Sequence, residues 1–316
     1  MDSMDLVRLV AAVIYAYFIV ATIFGASNVF VNIALYMVLL ITVVYATEVS
    51  MALSDARIWY NVMVVSIAMA IPQTVFAINL TLNNKPIAAW VDTLGSTLVD
   101  AILVTAVVRR HLIGSPLVRS PLVEGYMLLW SIFAVGVNIL AWYPELYTSR
   151  HVAAFYVAVG FLLPVLLVRG NIRGLPGVKD MIMLANNALA TFLASLMLSE
   201  ELLRLHIEEV QLGVISTILA TLPDFIVGMM IRGVVSRLLS AEAGDQEVLY
   251  TMLAAATHDQ LTIPGLIMLY MPSAMAYYPH LFNIAVVLLK FTLLSKRAFW
   301  LVGLPVTLLI FLMPPV

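Results

Sequence analysis

The chain has 316 residues, of which 63% are hydrophobic and 11% are charged. That polar fraction is too small to cover a water-soluble fold of this size, so we expect the surrounding solvent to be lipid. The formal net charge of -2 lacks the basic excess of a nucleic-acid-binding surface. Cysteine is absent, which excludes disulfides, thiolate metal sites and cysteine nucleophiles.

The apolar sequence divides into runs, most of them long enough to cross a hydrocarbon core about 30 Å thick as helices. They are longer than a spanning β-strand and apolar on all sides, which predicts an all-α polytopic membrane protein. The first run lacks a basic leader and a clear cleavage site, and we interpret it as a retained helix. The eleven runs cover residues 6–24, 28–50, 59–83, 87–108, 121–143, 152–168, 181–203, 210–231, 247–270, 276–294 and 297–313.

The positive charges predict how these helices alternate, because short cytoplasmic connections carry most of the Lys and Arg. With a cytoplasmic N-terminus, only Lys85, Arg150 and Arg204 fall on the outer side. Twelve basic residues then fall on the inner side, namely Arg8, Arg57, Arg109, Arg110, Arg119, Arg169, Arg173, Lys179, Arg232, Arg237, Lys296 and Arg297. The sequence thus predicts an integral protein of the cell membrane with its N-terminus in the cytoplasm.

Ionisable residues inside apolar runs are candidates for a site, because a charge within the bilayer costs several kcal/mol unless it is paired. Asp100, Asp224 and Asp259 each lie in the middle of a run. Asp92 lies toward the outer end of the fourth run, where a solvated helix end explains it as well as a functional role does. It shares a helix face with Ser96 and Asp100 at four-residue spacing.

An internal repeat organises these acids. The third run contains AMAIPQTVFAINL and the eighth contains LATLPDFIVGMMI, and each is followed by a run with a central acid, Asp100 or Asp259. The predicted topology gives the two copies opposite directions, as in transporters built from inverted repeats. We therefore divide the chain into an additional N-terminal helix at 1–27, a first five-helix repeat at 28–170 and a second at 171–316.

These motifs resemble the calcium/cation antiporter superfamily, which comprises the sodium/calcium and calcium/proton exchangers. That family has two repeats, each with a Gly-Thr-Ser-x-Pro-Glu-like signature followed by a Gly-Ser-Asn-x-x-Asn or Asp signature. The corresponding residues here are 70–73 (AIPQ) and 95–100 (GSTLVD) in the first repeat, and 221–224 (TLPD) and 254–259 (AAATHD) in the second. Gln73 stands where the family usually has Glu.

The resemblance implies a shared cation site at the membrane midplane. Its ligands would be the side chains of Gln73, Ser96, Asp100, Thr221, Asp224 and Asp259. Such oxygens suit hard cations, and the transported species would be Ca²⁺ or another divalent cation in exchange for Na⁺ or H⁺. No cofactor is implied, and the expected partners are small cations and the lipid bilayer.

Three other functions remain open at this point. Acidic rings also select cations in passive channels, and a divergent relative could bind ions without transporting them. An intramembrane enzyme is the least favoured, because the sequence has no His-Glu-x-x-His, Gly-x-Ser-x-Gly or P-loop motif. His258 beside Asp259 could relay protons, but a neutral histidine hydrogen-bonded within the bundle is the preferred interpretation.

The topology can be tested by single-cysteine labelling, since the chain has no cysteine. We expect a cysteine between residues 109 and 120 to react with an impermeant thiol reagent only from the cytoplasmic side. A cysteine between residues 200 and 209 should react only from the outside. Labelling of both positions from one side of intact cells would contradict the predicted alternation.

Overall fold

The computed structural model describes residues 3–24, 28–52, 62–63, 66–103, 120–168, 177–222 and 241–294, and all secondary structure within these ranges is helical. The helices are α1 Ser3–Phe24, α2 Val29–Ala52, α3 Ser66–Leu82, α4 Pro86–Leu103, α5 Pro121–Trp142, α6 Arg150–Leu162, α7 Val178–Leu203, α8 Glu209–Leu222, α9 Ala241–Thr257, α10 Ile263–Tyr270 and α11 His280–Leu294. A π-helix, His258–Thr262, joins α9 to α10 without a break. Short helical turns follow α5, α6 and α10 at Pro144–Tyr147, Val165–Val168 and Pro272–Tyr277.

Helix starts are encoded locally. The Asn28 side chain accepts a hydrogen bond from the Phe30 N–H at 2.9 Å and so caps α2. The Ser120 side chain accepts from the Val123 N–H and caps α5, and Pro121 follows at the first helical position, where its missing N–H costs nothing. The tight turn between α3 and α4 places Asn84 at a positive φ of 58°, which Asn tolerates better than most residues.

The helices carry the apolar lengths that a bilayer requires. Within the described ranges, four segments are long and apolar enough to cross a membrane, namely Val29–Ala46, Pro121–Trp142, Arg150–Val168 and Met181–Leu203. Shorter apolar helices occur at Arg8–Ala21, Met69–Leu82, Glu209–Leu222 and His280–Lys290. The prediction of an all-helical chain with membrane-spanning helices is confirmed for these residues, and the eleventh predicted run lies outside them.

Four connections meet at one end of the bundle, which we call the His280 end. The Ile87 N–H, at the start of α4, donates to Glu209 Oε2 at the start of α8 over 3.1 Å. The Trp142 ring, at the end of α5, lies 4.9 Å from the His280 ring. Trp90 Nε1 donates to the Ala274 carbonyl at 2.9 Å. This is the end at which the predicted alternation places the outer connections.

Polar bonds fasten α7 to α2 and α3. Asn32 donates to Glu201 Oε1 at 3.1 Å, and Arg204 donates to the same oxygen at 2.9 Å. Asn79 donates to the Ser199 hydroxyl at 2.7 Å. These groups lie in the last turns of α7, and hydrogen bonds between them fix the three helices without leaving Glu201 as an uncompensated buried charge.

Glycines allow two pairs of helices to approach closely. A Cβ at Gly95 of α4 would lie 2.6 Å from the Thr217 hydroxyl of α8. A Cβ at Gly265 of α10 would lie 2.8 Å from the Val157 backbone nitrogen and 3.0 Å from the Ala153 carbonyl of α6. Small residues at helix contacts are the usual means of tight packing in membranes.

This packing can be tested at Gly265. We expect Gly265→Ala to destabilise the protein by about 1–3 kcal/mol, because the obstructing atoms are backbone and cannot move aside. Thermal unfolding in detergent measures the change. Gly125→Ala is the matched control, since nothing lies within 4 Å of its added Cβ, and it should be neutral or slightly stabilising. Equal melting temperatures for both variants would contradict the close approach of α10 to α6.

Candidate cation site

The π-helix gives the long helix α9–α10 an irregular, fully buried centre. The Ile263 N–H donates to the His258 carbonyl, five residues back, so this turn is wider than an α-helical turn. Pro264 follows directly and cannot donate to the Gln260 carbonyl four residues before it. All five residues of the π-helix are buried. Pro264, five residues after Asp259, therefore follows a widened helical turn. Asp259 lies in this turn and is buried in the bundle.

Asp259 faces a second buried acid, Asp92 of α4. Asp92 is 0% exposed and Asp259 is 1% exposed, α4 packs against the π-helix, and the two carboxyl groups lie within electrostatic range of each other. Neither carboxyl oxygen of Asp92 has a hydrogen-bond donor in the described part of the chain. The interpretation of Asp92 as a solvated helix end is wrong, because the elements packed around α4 bury it completely.

Buried hydroxyl groups lie on α4, one turn after Asp92, and on α8. Ser96 donates to the Asp92 carbonyl at 2.9 Å, and Thr221 of α8 donates to the Thr217 carbonyl at 2.7 Å. Each hydroxyl thereby uses its single hydrogen and keeps its oxygen lone pairs for an incoming donor or cation. Both side chains are buried, so a hydrogen-bond donor or cation that binds these oxygens must lie inside the bundle.

Gln73 of α3 is also buried, and its Nε2 donates to the Ala220 carbonyl of α8 at 3.5 Å. The Thr217 hydroxyl of α8 lies 3.2 Å from the Val91 carbonyl of α4. Together with the contacts of α3 and α4 with the π-helix, these bonds bring four segments into one cluster. The structure thus places Gln73, Ser96, Thr221 and Asp259 on neighbouring elements.

The side chains of two predicted ligands are not among those that the structure describes. Asp224 lies outside the described residues, and for Asp100 the structure gives only the helical backbone of α4. Eight residues separate Asp100 from Asp92, which corresponds to about 12 Å along an α-helix. In the described ranges no group of three or more His, Asp or Glu side chains could hold a metal ion. The acidic part of the site that is visible there is the pair Asp92 and Asp259.

His258 is held by hydroxyl groups. Its Nε2 lies 3.4 Å from Ser66 Oγ and its Nδ1 lies 3.2 Å from Thr262 Oγ1. The Phe161 ring packs at 5.3 Å from the imidazole. Both ring nitrogens are therefore occupied by neutral partners, which fits a packed histidine better than a proton relay to Asp259.

Comparison of the chain with protein-family models, curated proteins and solved structures finds no match. The resemblance to cation antiporters therefore rests on the sequence motifs alone.

The site predicts stabilisation by cations. A ligand present at a hundred times its dissociation constant stabilises the folded state by about 2.7 kcal/mol, so saturating Ca²⁺ should raise the melting temperature of the unmodified chain. We expect Asp92→Asn and Asp259→Asn to lose most of this rise, because each removes a carboxylate while keeping the side-chain shape. Asp5→Asn is the control, since the Asp5 side chain is 56% exposed. A full Ca²⁺ effect in Asp92→Asn would remove Asp92 from the site.

Proposed function

We propose that this protein is a membrane cation antiporter that exchanges Ca²⁺ or another divalent cation for Na⁺ or H⁺. The observation that carries the proposal is the pair of buried carboxyl groups, Asp92 and Asp259, on two packed helical elements. In this proposal Gln73, Ser96 and Thr221 supply neutral oxygens. Asp100 and Asp224 remain proposed ligands on the strength of the family resemblance.

The charge of the pair supports exchange. Two carboxylates in a bundle without bulk water repel each other and lose their hydration, and both costs fall when positive charge is bound between them. One divalent cation neutralises the pair, and two protons or two monovalent cations do the same. Because these ions would use the same oxygens, binding of one kind excludes the other, which is the thermodynamic requirement for coupled exchange.

The oxygen types support a hard cation. Carboxylates, amide oxygens and hydroxyls are the ligands that Ca²⁺ and Na⁺ prefer, whereas soft metals prefer sulfur. The π-turn and Pro264 also leave a backbone carbonyl, that of Gln260, without its usual helical donor. Discontinuous helices with free carbonyls near the membrane midplane are typical cation sites in secondary transporters.

The helix contacts support an inverted repeat. The α3 helix packs against α9, and in the second half the equivalent helix α8 packs against α4. The α4 helix packs against α11, and the equivalent π-helix packs against α5. Two contacts between the proposed repeats, residues 28–170 and 171–316, thus each have a counterpart in which the roles of the repeats are exchanged. A paired architecture of this kind suits alternating access around a shared central site.

Transport can be measured as ⁴⁵Ca²⁺ uptake into proteoliposomes under an outward Na⁺ gradient and, separately, under an outward proton gradient. We expect at least one gradient to drive uptake, and Asp259→Asn to abolish it with Asp5→Asn unaffected. Gln73→Glu should strengthen Ca²⁺ binding, because it adds the acid that the family usually has. Asp224→Asn should weaken binding at the proposed second-repeat ligand.

The same assay distinguishes the rival functions. A channel would pass ⁴⁵Ca²⁺ down its own gradient with no counter-ion, and a binding protein without transport would show the Ca²⁺-dependent melting shift with no uptake. Uptake that neither gradient stimulates, together with a normal melting shift, would contradict the antiporter proposal and leave the cation site intact.

A further inference from the structure

Four elements around the carboxyl pair form a closed ring. The α4 helix contacts the π-helix, the π-helix contacts α5, α5 contacts α11, and α11 contacts α4. We call this arrangement the polar ring. The short helix Pro272–Tyr277 packs against α4 and α5 and lies across the ring at the His280 end.

Each element of the polar ring contributes one buried side chain with at least one polar atom that lacks a hydrogen bond within the described residues. These side chains are Asp92 of α4, Gln260 of the π-helix, Asn138 of α5 and Asn283 of α11, and all four are 0% exposed. In Asn138 and Gln260 both polar side-chain atoms have no partner in the described part of the chain, and in Asn283 the oxygen has none there. One such group is an ordinary exception, but one from every element of a ring points to a shared ligand.

The hydrogen-bonding pattern identifies that ligand as water. The amides of Asn138 and Gln260 present donors as well as acceptors, so a bare cation could satisfy only their oxygens. An anion could satisfy only their nitrogens and would be repelled by Asp92. Water donates and accepts, and buried water in proteins typically serves polar groups that would otherwise lack partners. The apolar alternative, a dry ring, would leave each group at a cost of about 1–3 kcal/mol.

Buried polar atoms that lack a hydrogen bond within the described residues also occur toward the His280 end. The Asn283 Nδ2 donates to the Ala134 carbonyl at 3.2 Å, one turn from Asn138 on the same face of α5. His280 lies one turn before Asn283 in α11, and its Nδ1 is buried without a hydrogen bond in the described structure. The Tyr278 hydroxyl is in the same condition, and its ring lies 4.8 Å from the Trp90 ring, two residues before Asp92.

We propose that the polar ring holds a water-filled passage that runs from Tyr278 and His280, past Asn283 and Asn138, to Asp92 and Gln260. Its ligands are water molecules and the hydrated cations or protons that travel with them. The inference rests on the proposed function for the purpose of the passage, which is access to the carboxyl pair. The water itself is tested apart from transport.

Cysteine accessibility tests the passage in the full-length chain reconstituted in liposomes. We expect Asn138→Cys and Asn283→Cys to react with a charged methanethiosulfonate reagent at least about tenfold faster than Val137→Cys and Ile284→Cys, because ionised, hydrated thiols react and thiols in a dry core do not. The control positions are sequence neighbours with apolar, equally buried side chains. Tyr277→Cys, at an exposed residue of the same end, marks the side from which the reagent must come.

Hydroxyl-radical labelling of the unsubstituted chain measures the same water without any substitution. Tyr278 and Tyr126 are both buried, at 4% and 2% exposure, but only Tyr278 lies on the proposed passage. We expect faster oxidation of Tyr278. Equal rates for the two tyrosines, or equal thiol reactivity at Asn138 and Val137, would overturn the passage even if cation exchange were observed. Reaction at Asn138 in a protein without exchange activity would uphold it.

Discussion

Burial of Asp92 and Asp259 within electrostatic range of each other is the constraint on which the rest of this structure depends. A charge within the hydrocarbon region costs several kcal/mol, and two like charges in one place add their repulsion. A bundle can keep such a pair only if its packing forbids the helices from separating to admit bulk solvent. Gly95 against Thr217 and Gly265 against Val157 provide that packing on either side of the pair. The close helix packing at these small residues is thus what allows the acids to stay buried.

The irregular turn at residues 258–262 connects this packing to the chemistry. A regular helix through Pro264 would lose one hydrogen bond and clash with the preceding turn, whereas the π-turn accommodates the proline and reorients the residues before it. Asp259 and Gln260 consequently lie next to each other in the buried centre, where Asp259 is within electrostatic range of Asp92 and Gln260 belongs to the polar ring. One local feature of the sequence therefore positions both an acid of the carboxyl pair and an amide of the polar ring.

The helical fold could be predicted from the sequence because lipid leaves few alternatives. Backbone polar groups in the bilayer must be satisfied within each segment, so an apolar run becomes a helix almost regardless of its other residues. The segments that meet at the site were also identifiable, since Pro72 and Pro264 punctuate apolar runs that contain buried polar groups. In the structure Gln73 of the Pro72 helix bonds to α8, and α4 contacts the π-helix before Pro264.

The pairing within the site could not be predicted in the same way. Position within a run suggested the membrane midplane for Asp100 and the interface for Asp92, yet burial depends on which helices surround a residue. Trp90, Ala274 and Tyr278 pack together near the start of α4 and separate Asp92 from the bulk solvent. These contacts join residues more than 180 positions apart, and no local pattern announces them. The buried amides Asn138 and Asn283 were missed because a single amide in an apolar helix usually serves packing.

The part of the polar ring that lies away from the His280 end affects whether a cation could cross the whole bundle. Lys290 of α11 is 3% exposed and its ammonium lies 5.0 Å from the centre of the Trp130 ring. The Trp130 Nε1 donates to the Ala256 carbonyl at 3.4 Å, just before the π-helix. Lys290 lies ten residues into α11, about 15 Å from His280 along the helix axis.

A cation that enters at the His280 end thus meets the carboxyl pair first and a fixed positive charge beyond it. In a continuous channel, a positive charge at this position would repel the permeating cation. A carrier, by contrast, needs the route beyond its binding site to be closed while the route from the other side is open. For the proposed cation site, the position of Lys290 therefore favours the proposed exchange over passive conduction.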